Sequence, residues 1–354
     1  MDIKITKSKN LKPKPDDNNL VFGKIFTDHM FTMDYNVENG WHNAQIVPYG
    51  NIELDPASMV LHYGQEVFEG MKAYRTQNDE ILLFRPEKNF ERLNISNERL
   101  CIPKIDEEFC LKALMELIKI DKDWVPHQEG TSLYIRPFII STEVGLGVHP
   151  AKEYKFIIIC GPVGSYYKEG LNPVKIYVES EYVRAVKGGT GFAKSGGNYA
   201  ASLKGQEKAE AQNYSQVLWL DGRERKYIEE VGAMNVFFKI DGKVITPSLE
   251  GSILPGITRR SVIDVLKSWN IPVEERKISV AELVESYNNN KLEEAFGTGT
   301  AAVISPIGEF NYEGKVMVVN NNQIGELSQK LYDYLTGIQW GKVEDKFDWV
   351  KKID

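Results

Sequence analysis

Lys194 stands alone. In "GFAKSGGNYAAS" (Gly191 to Ser202) it is the single charged side chain between Lys187 and Lys204. The sequence admits three readings of a solitary ammonium in a glycine-rich loop. In the first it is a nucleotide-binding lysine. "GGTGFAKS" (Gly188 to Ser195) departs from G-x-x-x-x-G-K-[ST] by one residue, Ala193, and "VLWLD" (Val217 to Asp221) resembles a Walker B strand. That chemistry needs a helix starting at the lysine and hydroxyl, so that free amides hold phosphate. Gly196-Gly197-Asn198 follow instead, and glycine costs about 1 kcal/mol in a helix interior, so no immediate helix is expected. In the second reading the lysine is a solvated loop residue. In the third it forms a Schiff base. Partial burial among few hydrogen-bonding partners favours the neutral amine that attacks a carbonyl. The glycines let a bulky cofactor approach the backbone, and Tyr199 adds a phenol five residues on.

A pyridoxal phosphate site needs, besides the lysine, a cation for the phosphate, phosphate-binding amides and an acid for the pyridine nitrogen. "IEEVGAMNVFF" supplies a carboxylate before a glycine turn and a strand. "LPGIT" (Leu254 to Thr258) leads into a helix whose first amides form an anion site. "GTGT" (Gly297 to Thr300) is a second compact group of amides and hydroxyls. Each is weak alone, since a glycine-rich turn is usually only a turn; the joint set is what points to the cofactor.

Elements must position these groups. "ILLFR" (Ile81 to Arg85) reads as a strand, and Pro86 opens a polar helix to about Leu100. Asp106 to Ile120 has acids first and apolar residues at helical spacing. "SLYIRPFIIS" and "EYKFIIICGPVG" read as strands, as do "KIYVES" and "QVLWLD". "NVFFKIDGKVITPS" is a hairpin on a type I′ Asp241-Gly242 turn. "GITRRSVIDVLKSWN" and "SVAELVESY" are helices, the second with Ser279 as its cap, and a last helix lies near Glu326 to Leu335. Strands and helices mix without strict βαβ alternation, which predicts a mixed α/β (α+β) chain. "GSYYKEGLNPVK" is a polar Gly/Pro-bearing connection near residues 165 to 175. The expected division is an N-terminal domain over 1–167, a connection over 168–179 and a C-terminal domain over 180–354 that carries the lysine.

Bulk properties narrow the function classes. The 354 residues suffice for two domains, with 42% hydrophobic and 26% charged residues. A net charge of −7 without an arginine-rich arm argues against nucleic acid. Three scattered cysteines (Cys101, Cys110, Cys160) make neither a disulfide framework nor a thiolate metal site, and the five histidines lack ligand spacing. No run nears the ~18 apolar residues of a membrane span. The amino terminus has no signal-peptide core. A soluble, cytoplasmic protein without a metal is expected.

"FEGMKAYR", "RPEKNFERL", "SLYIRPFIISTEVGLGV", "KSGGNYAAS", "QVLWLDG", "EEVGAMNVFF", "LPGITRRSV" and "FGTGTAAVISPIG" together resemble the branched-chain amino acid aminotransferases, from about Phe22 to the carboxyl end. The resemblance implies the two-domain fold of type IV pyridoxal-phosphate enzymes, with the active site at the domain interface. It implies a ping-pong transfer of the amino group of leucine, isoleucine or valine to 2-oxoglutarate by way of pyridoxamine phosphate, in synthesis or degradation of these amino acids. Lys194 would join the cofactor aldehyde and shuttle the α-proton. Glu230 would pair with the ring nitrogen, its neighbour Glu229 being out of register. Tyr199 would bond the phenolic oxygen. Arg92, rather than the tempting Arg85, would clamp the phosphate together with Ile257, Thr258 and Thr300. Phe22, Tyr63, Phe68, Tyr134, Tyr166 and Ala301 would form the side-chain pocket. Arg136 would meet the glutamate carboxylate, while Tyr63 and the backbone near Thr300-Ala301 would meet the α-carboxylate. The loop with Val148 would reach a second subunit, implying a homodimer. The chain departs from animal members at Ala302 and Ser305, where they carry a C-x-x-C pair, and at Ala233, where they carry threonine. Related enzymes that act on D-amino acids or cleave aminodeoxychorismate, and a binding protein without catalysis, remain the alternatives.

Overall fold

The computed structural model describes residues 1–164 and 171–353. Tyr166 lies outside them. By its contacts the chain divides into two compact units: Met1–Ser165 with Ala193–Gly196 and Gly337–Asp354, and Tyr166–Phe192 with Gly197–Thr336. The lysine segment and the carboxyl-terminal tail therefore group with the first unit, whereas the sequence reading places both in the second domain. Backbone bonding is the reason. The amide of Phe68 donates to the Lys194 carbonyl, and the strand Val350–Ile353 pairs with Ile81–Phe84.

The first unit is built on a sheet of β1 (Lys4–Ile5), β2 (His29–Asn36), β3 (Gly40–Pro48), β4 (Glu66–Phe68), β5 (Met71–Arg75), β6 (Ile81–Phe84), β7 (Ser132–Ser141), β8 (Glu153–Val163) and the closing strand Val350–Ile353. Its order is β1-β3-β2-β8-β7-β5-β6 and then the closing strand, with β4 added on β7. Besides the short α1 (Val60–Tyr63), helices α2 (Pro86–Arg99) and α3 (Glu107–Ile120) supply Phe90, Leu93, Leu114 and Leu117 to a core shared with Phe31, Leu83, Ile135 and Phe156. Each such side chain contributes about 1.5–3 kcal/mol by leaving water. Pro86 opens α2, where its missing N–H costs nothing, and Asp106 caps α3 by accepting from the Phe109 amide at 3.0 Å. Strand alternation does the positioning. On β7, Leu133, Ile135 and Ile139 are buried in the core, while Tyr134, Arg136 and Phe138 point to the other, half-buried face.

The second unit has its own sheet: β9 (Val174–Glu179), β10 (Gln216–Leu220), β11 (Ile228–Val231), β12 (Met234–Ile240), β13 (Lys243–Thr246), β14 (Val273–Glu275), β15 (Leu292–Gly299), β16 (Val303–Tyr312) and β17 (Lys315–Val318). The order β11-β10-β9-β16-β15-β12 closes on itself through a β11–β12 pairing, with β13 and β14 continuing from β12 and β17 beside β16. Asp241 and Gly242 both take positive φ, 51° and 75°, as the expected type I′ turn requires. The helices of this unit are α4 (Gly196–Glu210), α5 (Ile257–Ser268), α6 (Val280–Asn288) and α7 (Glu326–Gln339), the first residue of α4 and the last three of α7 grouping with the first unit. Ser279 caps α6, accepting from the Glu282 amide at 3.0 Å.

One expectation is corrected here. A helix does begin directly after Ser195, at Gly196. Gly196 and Gly197 occupy its first turn, where the amides lack intrahelical acceptors and the cost of an interior glycine does not apply in full. The nucleotide reading gains nothing from this, because the Gly196 amide already donates to the carboxylate of Glu66, an anion that repels phosphate. None of the helices in the described residues is long and apolar enough to cross a membrane.

Candidate functional site

In the first unit the chemistry gathers around Lys194. Its backbone is pinned at both ends: its amide donates to Ser96 Oγ at 2.9 Å and its carbonyl accepts from Phe68 at 2.9 Å. The Nζ lies 4.9 Å from the centre of the Phe68 ring. Burial is the main force that pushes the amine down to about 8 from its ordinary 10.5. Arg92 and Arg136 add to it, against the opposing pull of Glu69 and Tyr134. A fraction of the amine is thus neutral near pH 7, the property a carbonyl-attacking lysine needs.

Arg92 is held by a carboxylate that the sequence reading passed over. Its Nε donates to Glu69 Oε1 at 2.8 Å and its Nη2 to Glu69 Oε2 at 2.9 Å. Asn89 donates to Glu69 Oε2 at 2.8 Å. Burial alone would raise the Glu69 carboxyl, but Arg92, with Lys194 and Asn89, holds it below its usual range. This two-point grip sets the plane of the guanidinium. The signal was present in α2, where Asn89, Arg92 and Ser96 fall at i, i+3 and i+7: a polar stripe on the buried side of a helix. Arg85 is used otherwise. It stands in the left-handed region at φ 49° before α2, and its guanidinium lies 4.7 Å from the ring centre of Trp349.

The half-buried face of β7 completes this cluster. Arg136 donates from Nη2 to the Tyr134 hydroxyl at 3.0 Å and lies 4.7 Å from the centre of Phe68. Phe22 meets Tyr134 edge-on, with ring centres 4.8 Å apart. Gly70 is a glycine for a steric reason: a Cβ there would come within 2.2 Å of the Tyr134 hydroxyl. The structure therefore brings together Phe22, Phe68, Arg92, Tyr134, Arg136 and Lys194. Tyr63 and Val148 stand elsewhere on this unit. The Tyr63 hydroxyl donates to the Leu146 carbonyl, and Val148 is 81% exposed.

In the second unit a row runs across three strands, with Glu230 opposite Asn235 and Asn235 opposite Thr298. Glu230 is buried. Its Oε1 accepts from the Leu254 amide at 2.8 Å, and its Oε2 lies 3.2 Å from Nε of Arg184. Arg184 also donates to the Ser252 carbonyl at 2.6 Å, another contact the sequence did not announce. Asn235 donates to the Leu254 carbonyl at 2.9 Å. A Cβ on Gly256 would lie 1.9 Å from Asn235 Oδ1, so the turn into α5 can come this close only with glycine there. The acid and the "LPGIT" turn are thereby locked together. Helix α5 starts without a side-chain cap, leaving its first amides, those of Ile257 and Thr258, oriented for an anion.

Glu229 points to the opposite face, as adjacent strand residues must. It accepts from the Ser252 hydroxyl, and burial pushes its carboxyl above the usual range. Thr300 and Ala301 occupy the turn between β15 and β16, just beyond Thr298, whose buried hydroxyl finds no partner among the described residues. Tyr199 sits in the first turn of α4.

The first unit offers a desolvated amine and an oriented guanidinium, which suit an aldehyde and a phosphate. The second offers a charge-paired buried carboxylate and an uncapped helix start, which suit a basic ring nitrogen and an anion. Comparison with known proteins agrees. The model of the amino-transferase class IV family matches residues 66–310. Branched-chain-amino-acid aminotransferase 2 of Bacillus subtilis is 60% identical over 351 residues, covering 99% of this chain and 97% of that protein. The solved branched-chain amino acid aminotransferase of Escherichia coli shares 27% identity at a TM-score of 0.76, over 92% of this chain and 99% of that one. A T.th. enzyme of the same name, solved with pyridoxamine 5'-phosphate, shares 26% at a TM-score of 0.76, over 91% of this chain and 98% of that one. Its full-length likeness to these proteins places this chain in the branched-chain-amino-acid aminotransferase family, within the class IV amino-transferases.

Proposed function

We propose that this chain transfers the amino group of leucine, isoleucine or valine to 2-oxoglutarate, with pyridoxal phosphate as its cofactor. When bound, the cofactor supplies an aldehyde that takes up the amino group and a ring that accepts the electron pair released at the α-carbon. The branched substrate leaves as its 2-oxo acid; 2-oxoglutarate then enters and leaves as glutamate.

The observation that carries this reading is the Lys194 amine, set against the Phe68 ring and lowered to about 8 by burial, with Arg92 adding to the effect. Lys194 holds the aldehyde end and, once released, moves the proton at the substrate α-carbon. Glu230 keeps the ring nitrogen protonated, its own charge supported by Arg184. Arg92, aimed by Glu69, takes the phosphate with the amides of Ile257 and Thr258 and the Thr300 hydroxyl; Tyr199 bonds the ring oxygen. Phe22, Phe68 and Tyr134, with Tyr166, Ala301 and Tyr63 from a second copy of the chain, receive the branched chain, each CH₂ gaining about 0.8 kcal/mol by burial. Arg136 takes the distal carboxylate of glutamate, while Tyr63 of the second copy and the turn at Thr300-Ala301 take the α-carboxylate. Val148 serves a second copy of the chain in a cytoplasmic homodimer. Val144, Leu146 and Val148, 57%, 65% and 81% exposed, form an apolar loop suited to such burial.

Borohydride reduction of the protein loaded with pyridoxal phosphate, followed by peptide mapping, tests the central assignment. The expected result is a pyridoxyl group on Lys194, together with loss of turnover by more than about a hundredfold in Lys194→Ala. A tag on another lysine, or none, refutes it.

A further inference from the structure

Glu66 places a carboxylate on the same sheet face as the cluster above, and no role given so far uses it. On β4 it pairs with Ile140 of β7, so its side chain shares the half-buried face with Phe68, Tyr134 and Arg136. Its Oε1 accepts from the Gly196 amide, two residues beyond Lys194, and a Cβ on Gly196 would lie 2.1 Å from that oxygen. This fixes the carboxylate beside the lysine segment. Burial raises its carboxyl above the usual range, and the Gly196 amide and the charge of Arg136 on the same face oppose that rise. A carboxylate placed this way screens a cation without occupying its hydrogen-bonding edge. In a partly desolvated face such a charge is felt more strongly than in open water.

We propose that Glu66 is a specificity-determining residue that weakens the hold of Arg136 on the distal carboxylate of glutamate and 2-oxoglutarate. This rests on the assignment of Arg136 to that carboxylate. Branched-chain substrates have no distal charge and do not feel the effect. The α-carboxylate is common to both substrate types and cancels in their ratio. Glu66 thus keeps a pocket that must also release dicarboxylates from retaining them.

The test measures KM for 2-oxoglutarate relative to KM for 4-methyl-2-oxopentanoate, with the holoenzyme throughout. Glu66→Gln keeps an acceptor for the Gly196 amide and removes only the charge. The ratio is expected to fall by about threefold, in KM rather than kcat. Glu66→Asn, also neutral but shorter, must move it the same way and stands in if the first variant misfolds. In an Arg136→Gln background the same change at Glu66 must leave the ratio where it was. A ratio unmoved by Glu66→Gln, while Arg136→Gln alone raises it, overturns the inference and leaves the reading of Arg136 standing. A fall that persists in the double variant also overturns it, since Glu66 would then act through another group. Equal losses of kcat with both oxo acids would mark a purely structural cap and do the same. If Arg136→Gln alone does not raise the ratio, the reading of Arg136 fails and the inference with it.

Discussion

At the scale of single residues, the site is an exercise in setting charge. Lys194 is the lysine with Arg92 and Arg136 in its field, and burial is the largest influence on it. In cofactor-free enzyme the rate of pyridoxal phosphate capture should rise with pH and level off above about 8, because only the neutral amine reacts. Glu69 opposes the depression. Glu69→Gln should therefore move the midpoint to lower pH while weakening phosphate affinity, since Arg92 loses its two-point grip. Stopped-flow absorbance at a series of pH values checks this, and a midpoint at the ordinary 10.5 would contradict the desolvation account. Lys194 was visible from its isolation in the sequence. Glu69 was visible only as part of "FEG", since nothing in one dimension shows that it lies under Arg92, 23 residues away.

At the scale of elements, most boundaries followed from local chemistry. Pro86 at the start of α2, Asp106 and Ser279 as caps and Asp241-Gly242 as a turn are all short-range effects. Ser279→Ala should cost about 1 kcal/mol of stability and leave transamination intact, read as a lower urea midpoint with unchanged slope. The start of α4 escaped the sequence because its first glycine is chosen by a distant partner, Glu66. Within α4, Gly205 lies under the Trp219 ring, and a Cβ there would come within 2.6 Å of it. Gly205→Ala should accordingly destabilise by about 1–3 kcal/mol, although alanine is the better helix former. A thermal melt at or above the parent value would show that Trp219 can yield.

For the whole molecule, the prediction concerns association. The exposed apolar residues Val144, Leu146 and Val148 sit in one loop of the first unit, on a chain of net charge −7. Val148→Asp should shift the protein from dimer to monomer in light scattering, with loss of activity that high protein concentration partly restores. A parent enzyme that is monomeric at assay concentration would remove the homodimer from the account. The exposure of Tyr63 and Val148 belongs to this scale, because neither joins the lysine cluster of its own unit.

By itself the sequence determined the chemistry on offer: which amine is isolated, which turns leave amides free, and where helices and hairpins start. These depend on neighbours along the chain, whose spacing is set by covalent geometry. Tertiary structure alone decided which groups face one another. It set Glu69 under Arg92, Arg184 beside Glu230, Asn235 against the turn at Gly256, and Glu66 between Gly196 and the field of Arg136. It also grouped the lysine segment with the first unit. Strand register and side-chain packing make these choices, and they couple residues across distances for which a linear pattern holds no record.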